Sequence, residues 1–195
     1  MTPPSADLWF IRHGPTHARA MIGWTDLPAD LSDHAALDRL RGRLPDAPVV
    51  SSDLRRAVAT ADALQGARRR LPHATGLREM HFGAWEARTH AEAEAENPAL
   101  ARALWEEPGD IAPPGGESWN AFSGRCSATI DKIAMQHGPG PIIIVAHFGV
   151  ILSQVQRARG ILAVQAMAQP IANLSLTRIG HQAGRWVVRE VNTLP

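Results

Sequence analysis

Two short apolar runs constrain this chain more than any other feature: residues 8–11 (Leu-Trp-Phe-Ile) and residues 141–146 (Pro-Ile-Ile-Ile-Val-Ala). Each has the length and bulk of a strand buried on both faces, as in a parallel sheet covered by helices. Each also ends abruptly at a histidine, the first in Arg12-His13-Gly14-Pro15 and the second in His147-Phe148-Gly149. Pro15 cannot donate to a ladder and Gly14 permits unusual backbone angles, so the first strand stops there. Open α/β sheets bind their ligands at the carboxyl ends of strands. Arg12, His13 and His147 therefore stand where a site is expected, although an Arg-His pair alone also fits a surface ion pair.

Between the two runs, strand and helix alternate. A loop over 17–32, rich in Gly, Pro and Asp, leads into a helix from about Ser32 with Ala35, Leu37, Leu40 and Leu44 on one face. Residues 47–51 read as a second buried strand, stopped by Ser51-Ser52-Asp53. Residues 54–65 read as a helix closed by Gly66. Arg68-Arg69-Arg70 fits a solvated helix end better than a phosphate grip. Residues 74–78 suggest a short third strand that delivers Glu79. The stretch 87–107, rich in Ala and Glu, suggests helix broken at Pro98, with Glu92, Glu94 and Glu96 on a solvated face. From Ser118 a long helix carries Trp119, Phe122, Cys126, Ile130 and Ile133 as a core stripe, which makes Cys126 packing material. A helix over 150–159, a helical or irregular stretch to Gln169 and strands over 174–179 and 186–191 complete the order. The expected fold is a three-layer α/β/α sandwich with a mostly parallel central sheet, in a single domain over residues 1–195.

A chain of 195 residues buries about 70% of its unfolded surface, enough for a real core. Lys and Arg number 20 against 19 Asp and Glu, so no nucleic-acid-binding tail is implied. Cys126 is the sole cysteine, which excludes an intrachain disulfide and disfavours a cysteine zinc site. Residues 1–7 lack the basic, apolar and small pattern of a leader, and no apolar run approaches the length of a membrane span. The expectation is a soluble cytoplasmic protein with no membrane partner.

In a parallel sheet the strand ends share one edge, so His13, His147, Arg12 and Arg56 can converge. Three kinds of site fit such a cluster. A metal site could draw on His13, His17, His81 and His147, but the arginines oppose a divalent cation and no carboxylate pair offsets them. A pocket that binds a phosphorylated ligand without chemistry suits the guanidinium fork. Phosphoryl transfer through a histidine intermediate needs a neutral imidazole, cations on the phosphoryl oxygens and an acid for the leaving oxygen. The arginines would favour a neutral imidazole, and Glu79 is the candidate acid.

The ordered motifs add to this. Arg12-His13-Gly14 with Thr16, Ser51-Ser52-x-Leu54-x-Arg56-Ala57-x-x-Thr60-Ala61, Leu77-x-Glu79-x-x-Phe82-Gly83-x-Trp85-Glu86, Gly115-Gly116-Glu117-Ser118 and Val145-Ala146-His147 resemble the histidine phosphatase superfamily. This superfamily includes the cofactor-dependent phosphoglycerate mutases and α-ribazole phosphatase. The resemblance implies a phosphoglycerate mutase-like fold and a metal-independent phosphomonoesterase that uses no cofactor. It implies His13 as the phosphate-accepting nucleophile, Glu79 as proton donor, and Arg12, Arg56 and His147 as the phosphate pocket with Thr16 at its border.

Departures from the family pattern fall beside this set. Pro15 stands where Glu or Gln is common, and Arg19 falls near the place of a phosphate-touching asparagine. The loop down to Gly23-Trp24 is shortened, and Phe148 replaces a usual glycine. These departures imply a phosphate contact that is either lost or supplied by Arg19 or His17, with Gly23 expected to lie by the substrate and Phe148 to narrow the pocket mouth or move its backbone donor. The chain length matches short phosphatase members better than mutases, whose insertions close over the substrate. Residues 86–116 form the one substantial covering segment, whose glutamates would discourage a highly anionic substrate. Hydrolysis of a small phosphorylated metabolite is the expected reaction, with α-ribazole phosphate one named substrate by analogy. Mutase-type transfer and a catalytically weak phospholigand-binding member are the alternatives. A homodimer is left open.

Overall fold

In the computed structural model, which describes residues 5–182 and 184–195, the two apolar runs become neighbouring parallel strands. Strands β1 (Ala6–Arg12), β2 (Val49–Ser51) and β3 (Gly140–Ala146) lie parallel in the order β2-β3-β1. Beyond β1, strands β4 (Leu176–Gln182) and β5 (Arg185–Thr193) add antiparallel to the same sheet. Among the described residues two of the four strand pairings are parallel and two antiparallel, so the sheet is mixed where a mostly parallel one was expected. β4 and β5 lie too close in sequence for the crossover that a parallel pair requires.

Seven α-helices accompany the sheet among the described residues: α1 (His34–Arg43), α2 (Arg55–Gln65), α3 (His90–Glu96), α4 (Pro98–Glu106), α5 (Trp119–His137), α6 (Phe148–Arg159) and α7 (Ala163–Met167). Alternate residues of β1 and β3 serve opposite faces. Leu8, Phe10, Ile142 and Ile144 pack with Phe122 and Ile130 of α5 and Val150 of α6. Ile11, Ile143 and Val145 pack with Leu37 and Leu40 of α1 and Ala57 and Leu64 of α2. Each fully buried aliphatic or phenyl side chain of this kind contributes roughly 1.5–3 kcal/mol. These two layers on one sheet are the α/β/α sandwich. The buried face of α1 uses Ala36 rather than Ala35, which is exposed.

Register sets the site. Ser51 lies beside Val145 and Arg12 beside Ala146, so the carboxyl ends of β1, β2 and β3 share one edge. Residues 74–78 are not a strand: Thr75–Leu77 is a single 3-10 turn, and the sheet edge there carries only an isolated bridge from Arg70 to Val49. Gly76 approaches α5 so closely that a Cβ would lie 2.0 Å from Thr129 Oγ1, and the chain turns there rather than extending. The basic triplet is structural at two of its positions. Arg68 donates to the carbonyls of Pro45 and Leu44 at 2.6 and 2.8 Å, and Arg70 donates to Ser51 Oγ at 2.6 Å. The break at Pro98 separates α3 from α4, with Asn97 capping α4 through Leu100 N at 3.1 Å. Cys126 is buried in the core, and burial pushes its thiol up to about 12. Among the described residues no helix is long and apolar enough to cross a membrane.

Candidate active site

The β1 ladder runs one residue past the strand, with His13 N donating to Ala146 O at 3.0 Å. On the opposite flank Asn173 Nδ2 donates to His13 O at 2.7 Å and Leu174 N to Arg12 O at 2.9 Å. The strand end is thus held from both sides. His13 Nδ1 lies 2.7 Å from Gly14 O. A carbonyl only accepts, so Nδ1 carries the proton and Nε2 presents a lone pair. Burial, then the charge of Arg56, lower this imidazole to about 3, against the pull of the Gly14 carbonyl and with a smaller push from Arg12. His13 is therefore neutral near pH 7. Gly14 is demanded by space rather than by backbone angle: a Cβ there would lie 2.6 Å from Leu31 Cδ2 and 2.8 Å from Asp30 O.

β3 delivers His147, the N-cap residue of α6, with its ring centroid 5.1 Å from that of His13. It is fully buried and neither ring nitrogen has a hydrogen-bond partner. Such a group is uncommon in a folded protein and is the kind that a ligand satisfies. Burial, then His13, Arg56 and Arg12, keep it well below the ordinary imidazole range.

Both arginines are anchored by backbone carbonyls. Arg12 Nη1 donates to Ile171 O at 2.6 Å, and its guanidinium lies over the Phe148 ring at 5.3 Å. Arg56, in the first turn of α2, donates from Nη1 to Thr25 O at 2.9 Å and from Nη2 to Gly23 O at 2.7 Å. A guanidinium has five N–H donors, so both keep donors for an oxyanion. Glu86 fixes the loop that holds Arg56, accepting from the backbone N–H groups of Gly23, Trp24 and Thr25 at 3.2, 2.8 and 3.0 Å.

Glu79 follows the 3-10 turn. Its Oε1 accepts from Met80 N and its Oε2 from Gly149 N, each at 3.0 Å. Burial outweighs those donors and both arginines and pushes the carboxyl above its usual range. Its backbone is clamped as well. Arg125, paired with Glu117 at 2.7 Å, donates to the carbonyls of Gly76, Arg78 and Glu79 at 3.0, 3.1 and 3.2 Å, and Trp24 Nε1 donates to Glu79 O at 2.9 Å.

Arg12, His13, Arg56 and Glu79 all line one cavity of about 450 Å³, the size of a small-molecule site. Apart from Thr16 and the exposed His90, the rest of the lining is apolar, with Phe82, Trp105, Trp119, Phe148 and Met167 its largest members. Thr16 and Phe148 thus lie where the sequence suggested. Arg19 is exposed and off the cavity lining. His17 is also turned to other work, pairing with Asp30 at 2.8 Å on the surface, while Pro15 O accepts from Asp30 N at 2.6 Å. Gly23 does not line the cavity either and bears on the site through Arg56. His147 adjoins His13 without lining the cavity.

Several contributors were not legible as such. Asn173, the Gly149 N–H and Arg125 act through the backbone, and Trp105 and Met167 look like ordinary helix packing. The glycine after Phe148 was the one available signal: a Cβ at Gly149 would lie 2.4 Å from Glu79 Oε1. Among the described residues no group of three or more His, Cys, Asp or Glu side chains is arranged to hold a metal ion.

Residues 8–194 match the family profile of the histidine phosphatase superfamily (branch 1). The chain is 38% identical over 162 residues to glucosyl-3-phosphoglycerate phosphatase of Mycolicibacterium vanbaalenii, covering 74% of this chain and 70% of that one. It is 28% identical over 186 residues to adenosylcobalamin/alpha-ribazole phosphatase of Salmonella typhimurium, covering 92% and 87% respectively. Its fold matches that of Bacillus stearothermophilus YhfR with a TM-score of 0.88 at 27% identity, over 97% of this chain and 98% of the other. With nearly its whole length matched and its strand-end histidines, arginines and buried glutamate in one site, the chain belongs to the histidine phosphatase superfamily.

Proposed function

We propose that this protein hydrolyses small phosphomonoesters through a covalent phosphohistidine on His13, with no metal. One observation carries the reading: a neutral imidazole with Nε2 free lines the same cavity as a buried carboxyl held above its usual range. Arg12 and Arg56 hold the phosphoryl oxygens as charge spreads over them, His147 stands behind the cavity wall with its ring 5.1 Å from that of His13 and both nitrogens unpaired, and Thr16 borders the pocket. The Nε2 lone pair forms the N–P bond while the P–O ester bond breaks. The electron pair leaves on the ester oxygen, which takes the proton of Glu79, and the alcohol departs. Water then attacks phosphorus and gives a proton to the Glu79 carboxylate as the N–P electron pair returns to Nε2. The products are the alcohol and inorganic phosphate.

The relatives named as phosphatases support hydrolysis over mutase-type transfer. So does the lining. Among the described residues Arg12 and Arg56 are its only Arg or Lys side chains, which leaves no further cation for the acid group of a phosphoglycerate. His90 and Trp105, from residues 86–116, line the cavity, which supports that segment as its cover. The glutamates expected to repel anionic substrates do not line it: Glu92 caps α3 through Thr89, and Glu96 pairs with Arg88.

The test is a quench of the enzyme with acetyl phosphate, followed by mapping of acid-labile phosphate. An adduct on His13, absent from His13→Ala, supports the proposal. Retained phosphate binding with no adduct and no turnover at any pH makes the protein a phospholigand binder instead. Strong inhibition by EDTA would revive a metal-dependent route.

A further inference from the structure

We infer that the leaving group of the natural substrate is an uncharged, ring-bearing alcohol, and that this cavity rejects phosphomonoesters carrying a second anionic group. The inference rests on the phosphatase reading above and goes further by assigning the chemistry of the alcohol half.

Once Arg12 and Arg56 bind the phosphoryl oxygens, the rest of the lining must hold the alcohol. That lining offers large flat surfaces and few polar atoms. Trp119 is 4% exposed, and its Nε1 donates to Gln156 Oε1 at 2.7 Å, so its donor is engaged within the protein. Trp105 packs against the His90 ring at 4.9 Å and the Phe82 ring at 6.3 Å, an aromatic group drawn from three separate segments. Phe148, at the start of α6, is held beneath the Arg12 guanidinium, so the aromatic part of the lining adjoins the phosphate-binding cation. Leu152 and Met167 complete this part of the lining. Aromatic faces suit a flat apolar body.

The same lining argues against a second anion. A carboxylate placed there would lose water and find neither Lys nor Arg beyond the two already bound to phosphate. Glu79 would also repel it once its proton has passed to the leaving oxygen. A site lined this way tolerates changes of apolar bulk far better than the introduction of an unpaired charge.

A matched panel of esters of primary alcohols tests this with the intact wild-type protein: benzyl phosphate, 4-carboxybenzyl phosphate, its neutral methyl ester, and glycerol 1-phosphate. The benzyl compound and the methyl ester are expected within about 3-fold of each other in kcat/KM. The carboxylate should fall by at least ~30-fold and glycerol 1-phosphate by at least ~10-fold, the latter mainly through KM. His90→Gln should keep the same order, which removes its imidazole as a hidden cation. Met167→Lys should raise the carboxybenzyl-to-benzyl ratio by about 10-fold or more. A carboxylate turned over as well as the benzyl ester, or glycerol 1-phosphate as the best substrate, overturns the inference. Phosphorylation of His13 by acetyl phosphate, measured in parallel, separates the two levels. An adduct with a flat panel sinks the leaving-group assignment alone, whereas no adduct and no turnover removes the phosphatase reading and this inference with it.

Discussion

Two parts of one cavity are built by different means. In the part assigned to phosphate, Arg12, Arg56, His13 and Glu79 each make at least one hydrogen bond to backbone that fixes their placement. In the part assigned to the alcohol, Phe82, Trp105, Phe148 and Met167 are placed by packing. The first part must match a fixed tetrahedral charge distribution, so small displacements are costly. The second must match only a shape, so its members are exchangeable. The expected consequence is a gradient: replacements in the phosphate part act on the chemical step, and replacements in the apolar part act on substrate preference.

The largest effect should come from His13→Ala, which removes the atom to be phosphorylated. We expect a loss of about 10⁴-fold or more in kcat on every substrate, measured with p-nitrophenyl phosphate and an alkyl phosphate. A mutant with near wild-type turnover would dissolve the division between the two parts, because the nucleophile would lie elsewhere. Glu79→Gln comes next and is selective. Alkyl phosphates should slow by about 10²–10⁴-fold, while p-nitrophenyl phosphate, whose leaving group needs little protonation, should slow far less. Because the Glu79 carboxyl is held above its usual range, wild-type activity should decline on the alkaline side as that proton is lost. The decline should be absent from the Gln variant.

How much of this could be read in the sequence follows the same division. Arg12-His13-Gly14 and His147 were legible because each ends a buried apolar run at the sheet edge where open α/β sheets bind ligands, and because Arg56 and Glu79 gave the cluster a chemical role. Glu79 was found by its role, although the strand expected to deliver it is a turn. The difference traces to Gly76 and Thr129, whose contact is long-range and leaves no local pattern. Phe148 was legible as a departure, but Trp105 and Trp119 were not. An aromatic residue facing a ligand has the same helical spacing as one facing a core. Arg19 failed for the opposite reason. Its position in the chain suggested a phosphate contact, but the loop from Gly14 is tied to Asp30, and Arg19 is left exposed. The antiparallel strands β4 and β5 read correctly as strands, while their direction depended on where the chain re-enters the sheet.

Acid stability offers a probe of the phosphate part that needs no substrate. The His13 imidazole is lowered to about 3 in the folded protein, against ~6.5 for an ordinary histidine. Between those values the unfolded chain binds a proton at this position that the folded chain does not. Stability therefore falls as pH drops from about 6.5 towards 3, and this group contributes no pH dependence above that window. The cost reaches the order of 4 kcal/mol at the acid end for His13, with buried His147 acting in the same direction. Glu79 has the opposite sign: its raised value adds stability at low pH that is lost as pH rises through the folded value. Urea midpoints measured from pH 7 to pH 4 should fall in the wild type and fall less steeply in His13→Gln. Equal slopes would mean that His13 is not held neutral by its surroundings.

Gly149→Ala tests whether spacing matters as much as identity. The added methyl would sit 2.4 Å from Glu79 Oε1, so the carboxyl or the start of α6 must move. A displacement of about 1 Å at a reacting group costs ~10²-fold in rate. The loss should follow the pattern of Glu79→Gln, heavier on alkyl than on p-nitrophenyl phosphate, because the same proton transfer is disturbed. An equal loss on both would instead indicate damage to His147 or the phosphate pocket.

Asn173→Ala should have the smallest effect of this series and sharpens the comparison by touching neither phosphate nor alcohol. Its amide donates to His13 O at 2.7 Å, on the opposite flank from the β3 ladder. Removing it deletes one hydrogen bond, worth about 1 kcal/mol of stability, and frees one side of the strand end that carries the nucleophile. The remaining ties, from His13 N to Ala146 O and from Leu174 N to Arg12 O, keep the strand in place. A drop of about 3–10-fold in kcat with KM nearly unchanged is therefore expected, because Nε2 is presented less often in line with phosphorus. The drop should be the same for benzyl and glycerol phosphates, since the alcohol part of the cavity is not involved. A change in KM that depends on the alcohol would mean that the two parts of the cavity are mechanically coupled through the 171–174 segment, which also supplies Ile171 O to Arg12.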